Sequence, residues 1–497
     1  MVLEPVVSGA PRKPHVLLFP FPERGHINPL LDIAFRLSAS GILSTFLMPA
    51  HLASDHGISA PVENLRLAAL DLPPDTTNKL SACVGSWQET LEILGTHFPA
   101  PLRTFILSSA ISCLISDSFM PWTADLASEL GIPRVEMWTG SASTYVFGSS
   151  ILQLTSMGLL PFKQGLLSLS LSRFIYISCL YILTSNSCPT GTQDFSLDFL
   201  PGISTSRLGH VPIHSLTNQD LSDPTQHAIF RSFAHGLPES KRVLVNSFHE
   251  LEAGAIAALR AKNVNMTAIG PTLGGASICK DLVDETQLQC LRWLDRHDEK
   301  SVVYVAFGSV GFLSVEEIQE VAATLEAVGR PFLWAIHQGS ATHSLPENFR
   351  PGLLPMEKGL IVSWAPQRQV LEHQSIGAFV THCGWNSLLE SLWNGVPMVG
   401  CPRVAEQNTN LWLIEQWGIG VSGVDTIMGG IGTIRRTTLT HALQLVMGEI
   451  GLGIEDLTPL NLRKKVGQMA MAAHAALTPS GSSTLAFQEF VSELIKC

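Results

Sequence analysis

The chain is short of several things, and each shortage narrows its function. Its nine cysteines include no C-x-x-C pair and no metal-ligand spacing. An odd number of scattered cysteines points to a reducing compartment. No apolar run occupies Met1 to Pro14, so no signal peptide is expected and the expected location is cytoplasmic. No G-x-G-x-x-G follows the first strand, which speaks against a dinucleotide dehydrogenase. Basic residues are not in excess: the net charge is −11 and the pI about 5.8. Nucleic acid and anionic membrane surfaces are therefore poor partners. An anionic nucleotide remains possible, because helix ends and local dipoles can hold one. Charged residues make up 15% and hydrophobic ones 45%, the balance of a globular protein. At 497 residues with no internal repeat, the chain exceeds what one core organises, and two domains are expected.

What is present concentrates in one window, Trp364 to Gln407. Ile376 to Val380 is a short uncharged apolar run, which suits a strand covered on both faces. His382-Cys383-Gly384 interrupts it. A helical pattern follows, with Leu389, Leu392 and Trp393 forming one buried stripe. Asn386 and Glu390 lie four apart on another face, and Ser387 three before Glu390, so the three can meet one ligand. Gly395 can end the helix, and Val396 to Val399 reads as the next strand. The N-terminus of such a helix carries free N–H groups and suits a diphosphate. The pattern alone also fits a core βαβ unit with a capped helix.

The whole window resembles the signature box of plant family 1 UDP-dependent glycosyltransferases. The resemblance runs from Trp364-Ala365-Pro366-Gln367 through His382-Cys383-Gly384-Trp385-Asn386-Ser387 to Ala405-Glu406-Gln407. It implies that Trp364 stacks on uracil, with Gln367 as a second contact and Ala365 beside them. It implies Glu390 as the acceptor for ribose hydroxyls. His382, Asn386 and Ser387 would bind the diphosphate. Glu406 and Gln407 would hold the sugar hydroxyls with Trp385 packed alongside, and a final Gln goes with glucose donors.

The first half begins as a parallel α/β sheet. His15 to Pro20 reads as a buried strand, Phe21 to Pro29 as a turn, Leu30 to Ala39 as a helix and Leu43 to Met48 as a second strand. Ligands bind beyond strand ends on such sheets, where His26 falls. A lone loop histidine is usually a surface or packing residue. The string Gly25-His26-Ile27-Asn28-Pro29-Leu30, however, resembles the family's first loop, whose His is the general base. Asp117 ends the strand Cys113 to Asp117. Alone it could cap the following helix; the resemblance makes it the carboxylate that orients His26. Thr139 corresponds to a donor-sugar contact. One departure is Glu23-Arg24, where the family usually has a small residue and Gln.

In the second half, Ser301 to Ser309 is a buried strand ending in Gly-Ser. The family places a diphosphate-binding serine there, at Ser309. Gly165 to Ser187 is strongly apolar and foreign to the family's spacing. It can be an extra helix or loop near the acceptor pocket, a translated intron, or a membrane anchor.

The resemblance implies an α/β GT-B fold, two Rossmann-like domains facing across a cleft. The expected layout is an acceptor domain over 1–255, a linker region over 256–290 and a UDP-sugar domain over 291–480. A last helix, 481–497, crosses back. The expected activity is inverting transfer of glucose from UDP-glucose to a hydroxyl of a small lipophilic acceptor. No metal and no cofactor are implied, and the expected state is monomeric. The rivals are a catalytically silent UDP-sugar-binding protein and a nucleotide-sugar epimerase of the same fold. The acceptor pocket is built from loops that vary within the family, so the acceptor is not legible.

Overall fold

The computed structural model describes residues 14–53, 62–82, 87–157, 196–207, 210, 242–273, 285–308, 313–336, 344–349, 357–425, 432–448 and 459–496. The apolar segment 165–187 and Ser309 lie outside them.

Two all-parallel sheets organise these residues. The first holds β1 (His15–Phe19), β2 (Leu43–Pro49), β3 (Leu65–Leu70), β4 (Cys113–Asp117), β5 (Arg134–Trp138), β6 (Arg242–Val245) and β7 (Asn265–Ala268). The second holds β8 (Val302–Ala306), β9 (Phe332–Ala335), β10 (Gly359–Val362), β11 (Ile376–Thr381), β12 (Met398–Gly400) and β13 (Gly420–Ser422). Their orders are β3-β2-β1-β4-β5-β6-β7 and β10-β9-β8-β11-β12-β13. Each order runs outward in both directions from its first strand. The crossovers therefore diverge between β1 and β4, and again between β8 and β11, leaving a crevice beyond the strand ends. Parallel strands covered on both faces need uninterrupted apolar side chains, and β1, β4, β8 and β11 are buried at every position.

Two boundaries differ from the sequence expectation. The first sheet does not stop at the strand around Val243 to Phe248. β7 follows it, inside the stretch expected to be linker, because Met266 and Ala268 complete the apolar face that β6 leaves open. The first helix starts at Arg24 rather than Leu30, so His26 lies in its first turn. Pro29 sits inside that helix. Its missing N–H would have bonded the Gly25 carbonyl, and that acceptor instead receives the Asn386 Nδ2 at 2.7 Å from the second half.

Other links join the halves. The Trp385 indole N–H donates to the Asn246 carbonyl at 2.7 Å, and Asn246 Nδ2 donates to Asn386 Oδ1 at 3.1 Å. The last helix, Ser482–Lys496, lays Phe487, Phe490, Val491 and Leu494 into the core around β1 and β2. Arg242 of β6 pairs with its Glu493 at 2.7 Å. Among the described residues no helix is long and apolar enough to cross a membrane.

Candidate active site

The two crevices each hold a histidine. In the first, β1 feeds the helix that carries His26, and β4 ends at Asp117. His26 Nδ1 lies 2.8 Å from Asp117 Oδ2, and Asp117 is fully buried. The other carboxylate oxygen accepts the Phe119 N–H at 2.9 Å, which tightens the turn after β4. Asp117 thus holds a local turn and His26 together. Phe21 and Phe119 flank the imidazole edge-on, with ring centroids 5.2 and 5.3 Å away. This box fixes the orientation of the ring.

Burial alone would lower the His26 pKa. The adjacent Asp117 carboxylate, then Glu406 and Glu23, outweigh burial, and the net shift is upward. With the proton on Nδ1 facing Asp117, the lone pair falls on Nε2. Glu406 belongs to the second half, so its field reaches His26 across the crevice. Its own carboxyl is raised by burial and partly pulled back by His26.

In the second crevice, β11 leads through His382 and Cys383 to the helix Trp385–Trp393. A Cβ on Gly308 or on Gly384 would come within 2.7 or 2.4 Å of His382 Nε2, so two bare backbones press against this ring. Gly308 and Cys383 hold left-handed φ values of 72° and 64°. Burial pushes the His382 pKa down to about 4, and a hydrogen bond with the Ala306 backbone offsets only part of that. At neutral pH it is a neutral imidazole, set at the start of the following helix.

The remaining expected residues fall into two groups. Gln367, Ser387 and Glu390 are brought together: Gln367 Nε2 donates to Ser387 Oγ at 2.8 Å and to Glu390 Oε2 at 2.7 Å. Burial raises the Glu390 carboxyl, and the Gln367 amide and Arg368 partly offset that. Trp364, close in sequence to this cluster, is 43% exposed, while the adjoining Ala365 is buried.

The others already have partners within the protein. Trp385 is 3% exposed and donates to Asn246, so it bridges the halves rather than lining an open site. The Asn386 amide is engaged by Asn246 and Gly25. Gln407 Oε1 accepts the Arg403 and Val404 N–H groups at 2.7 and 2.9 Å, so a sugar contact falls to its Nε2. Thr139 Oγ1 lies 3.0 Å from His26 Nδ1, which ties it to the base.

Sequence reasoning missed Phe21, Phe119 and Asn246, whose roles are tertiary. It also missed Glu252. This buried carboxylate accepts from the Ala142 and Ser143 N–H groups at 2.9 Å and from the Ser143 and Ser247 hydroxyls at 2.7 Å. It thereby caps the Ala142–Ser156 helix from across the fold. No spacing rule reaches over 109 residues.

Two Rossmann-like parallel sheets, each with a crevice where its crossovers diverge, give the chain a GT-B architecture. Comparison with known proteins agrees. A family model described as "UDP-glucoronosyl and UDP-glucosyl transferase" matches residues 273–449. An (R)-mandelonitrile beta-glucosyltransferase of Prunus dulcis is 30% identical, covering 99% of each chain. Linamarin synthase 1 of Manihot esculenta is 29% identical over 98% of each. Among solved structures, an anthocyanidin 3-O-glucosyltransferase in complex with UDP aligns with a TM-score of 0.78. Its identity is 25%, with 98% of this chain and 100% of that one covered. UGT71G1 of Medicago truncatula, complexed with UDP-glucose, gives 0.75 at 26%, covering 97% and 99%. The chain belongs to the UDP-glucuronosyl and UDP-glucosyl transferase family and is a UDP-glycosyltransferase of the plant type.

Proposed function

We propose that this enzyme moves glucose from UDP-glucose to a hydroxyl of a small lipophilic acceptor, such as a flavonoid, phenylpropanoid or terpenoid, with inversion at the anomeric carbon. The observation that carries the proposal is the His26–Asp117 pair, buried at 2.8 Å and set within the field of Glu406 from the other half. His26 Nε2 takes the acceptor proton as the oxygen attacks the anomeric carbon from the face opposite UDP. Asp117 holds the tautomer and stabilises the imidazolium that forms. The C1–O bond to the diphosphate breaks as the new C1–O bond forms, and an α-linked donor yields a β-glucoside.

On the donor side, uracil stacks on Trp364, Gln367 meets its edge, and Glu390 accepts from the ribose. The start of the Trp385–Trp393 helix, with His382, Asn386, Ser387 and Ser309, meets the diphosphate. These dipoles point at charge that grows as UDP leaves, so the leaving group needs no metal ion. Glu406 and Gln407 hold the sugar hydroxyls, and Thr139 steadies the base beside them. The relatives named as glucosyltransferases, and the Gln at position 407, support glucose as the sugar.

The test is incubation with UDP-glucose and a panel of phenolic and terpenoid alcohols, with and without EDTA, followed by mass spectrometry. A hexose increment that EDTA does not diminish is expected. UDP binding without any glycoside would mark a silent binding protein instead. UDP-glucose consumed without a glycoside, yielding a second hexose, would mark an epimerase.

A further inference from the structure

Arg24 departs from the family's usual residue, and the structure shows where it goes. Its guanidinium carbon lies 4.3 Å above the centre of the Trp364 ring. Arg24 is the first residue of the helix Arg24–Ala39, in the first half; Trp364 belongs to the second. The face it covers is therefore the one turned to the crevice, where a base would enter. The neighbouring Gly25 carbonyl is bonded to Asn386, the second residue of the Trp385–Trp393 helix. Arg24 thus stands between the indole platform and the helix start. Both partners are solvent-accessible, Trp364 at 43%. An exposed cation–π contact is weak and easily exchanged. A guanidinium that moves to a diphosphate gains charge-assisted, forked hydrogen bonds, which are stronger.

We propose that Arg24 is a donor-recognition residue supplied by the acceptor half: it stacks on Trp364, yields that face to uracil, and transfers to the diphosphate. This rests on the reading above, in which Trp364 holds the base and the Trp385–Trp393 helix start the diphosphate. Under it, the chain does not bind its donor through the second half alone. A cation from the opposite lobe reports that the donor is complete, because only a phosphorylated ligand repays its displacement. Uridine alone must remove the guanidinium from the indole and offers it nothing in return.

The experiment measures UDP and uridine affinity by calorimetry for the wild type, Arg24→Ala, Arg24→Gln and Arg24→Lys, with steady-state kinetics alongside. UDP affinity is expected to fall about tenfold in Arg24→Ala and Arg24→Gln, the worth of a hydrogen-bonded charge. Uridine affinity is expected to stay level or rise in the same variants. Arg24→Lys is expected to recover part of the UDP affinity. The kinetic loss is expected in KM for UDP-glucose rather than in kcat or in KM for the acceptor. UDP affinity unchanged or improved in Arg24→Ala would overturn the proposal, as would an equal loss for uridine. Failure of the wild type to bind UDP at all would instead overturn the donor site on which it rests.

Discussion

The two crevices have the same construction and opposite electrostatics. Each lies where crossovers diverge, after the first strand of a sheet ordered outward in both directions. Each presents a largely buried histidine. His26 faces Asp117, Glu406 and Glu23, and its pKa rises. His382 packs against two glycines, and burial lowers its pKa to about 4. Topology therefore chooses the place, and neighbouring charges choose the chemistry. The first histidine is suited to carry a proton; the second is suited to donate a hydrogen bond without changing charge. Their effects on stability have opposite signs. A histidine with a raised pKa stabilises the fold at low pH, and that contribution is lost as pH rises through its folded value, above 6.5. His382, with a lowered pKa, contributes stability at neutral pH that is lost as pH falls from 6.5 toward 4.

The contrast can be broken at either histidine. His26→Ala should cost about 10²–10⁴-fold in kcat, the range for a positioned general base, with UDP affinity retained in calorimetry. Comparable transfer in that variant would remove His26 from the chemistry. His382→Ala should behave in the other direction. UDP affinity and kcat should each fall about 10–100-fold, as a hydrogen bond to a charged group is lost. A variant that binds UDP normally would uncouple His382 from the diphosphate.

Asp117→Asn sharpens the comparison by making the first crevice more like the second. Its kcat should fall about 10–100-fold, as when a partner that orients a histidine is removed. UDP binding should be unchanged. The smallest effect on activity should come from Glu252→Gln. Glu252 is buried like Asp117, yet its partners are backbone N–H groups and hydroxyls, not a histidine. Burial raises its pKa and those partners lower it. The amide leaves at least one N–H unsatisfied, so stability should drop by about 1–3 kcal/mol in urea titration. Transfer below the melting range should stay within about twofold, as for a substitution remote from the chemistry.

How much of this the sequence shows depends on whether a feature is local. The strands around Leu17, Ile115, Val303 and Phe379 are legible because parallel strands buried on both faces are written as unbroken apolar runs. The helix after Gly384 is legible from the spacing of Leu389 and Leu392. His26, Asp117 and the Trp364 to Gln407 box stand out through family resemblance, and the fold brings most of them to two places. The start of the first helix is illegible because Pro29 reads as a breaker. The Asn386 amide, supplied from the other half, donates to the carbonyl that Pro29 leaves open. The inward turn of Trp385 depends equally on a distant partner, Asn246. β7 is short and carries Asn265 and Thr267, so it lacks the apolar run that reveals its neighbours.

The central claim is that His26, raised by Asp117, removes the acceptor proton. Its most direct test is kcat/KM against pH for the wild type and Asp117→Asn, using an aliphatic alcohol that does not itself titrate. The expected profile falls on the acid side with a midpoint above 6.5, and that midpoint moves to lower pH when the carboxylate is replaced. A flat profile, or an acid limb that does not move in Asp117→Asn, would contradict the account.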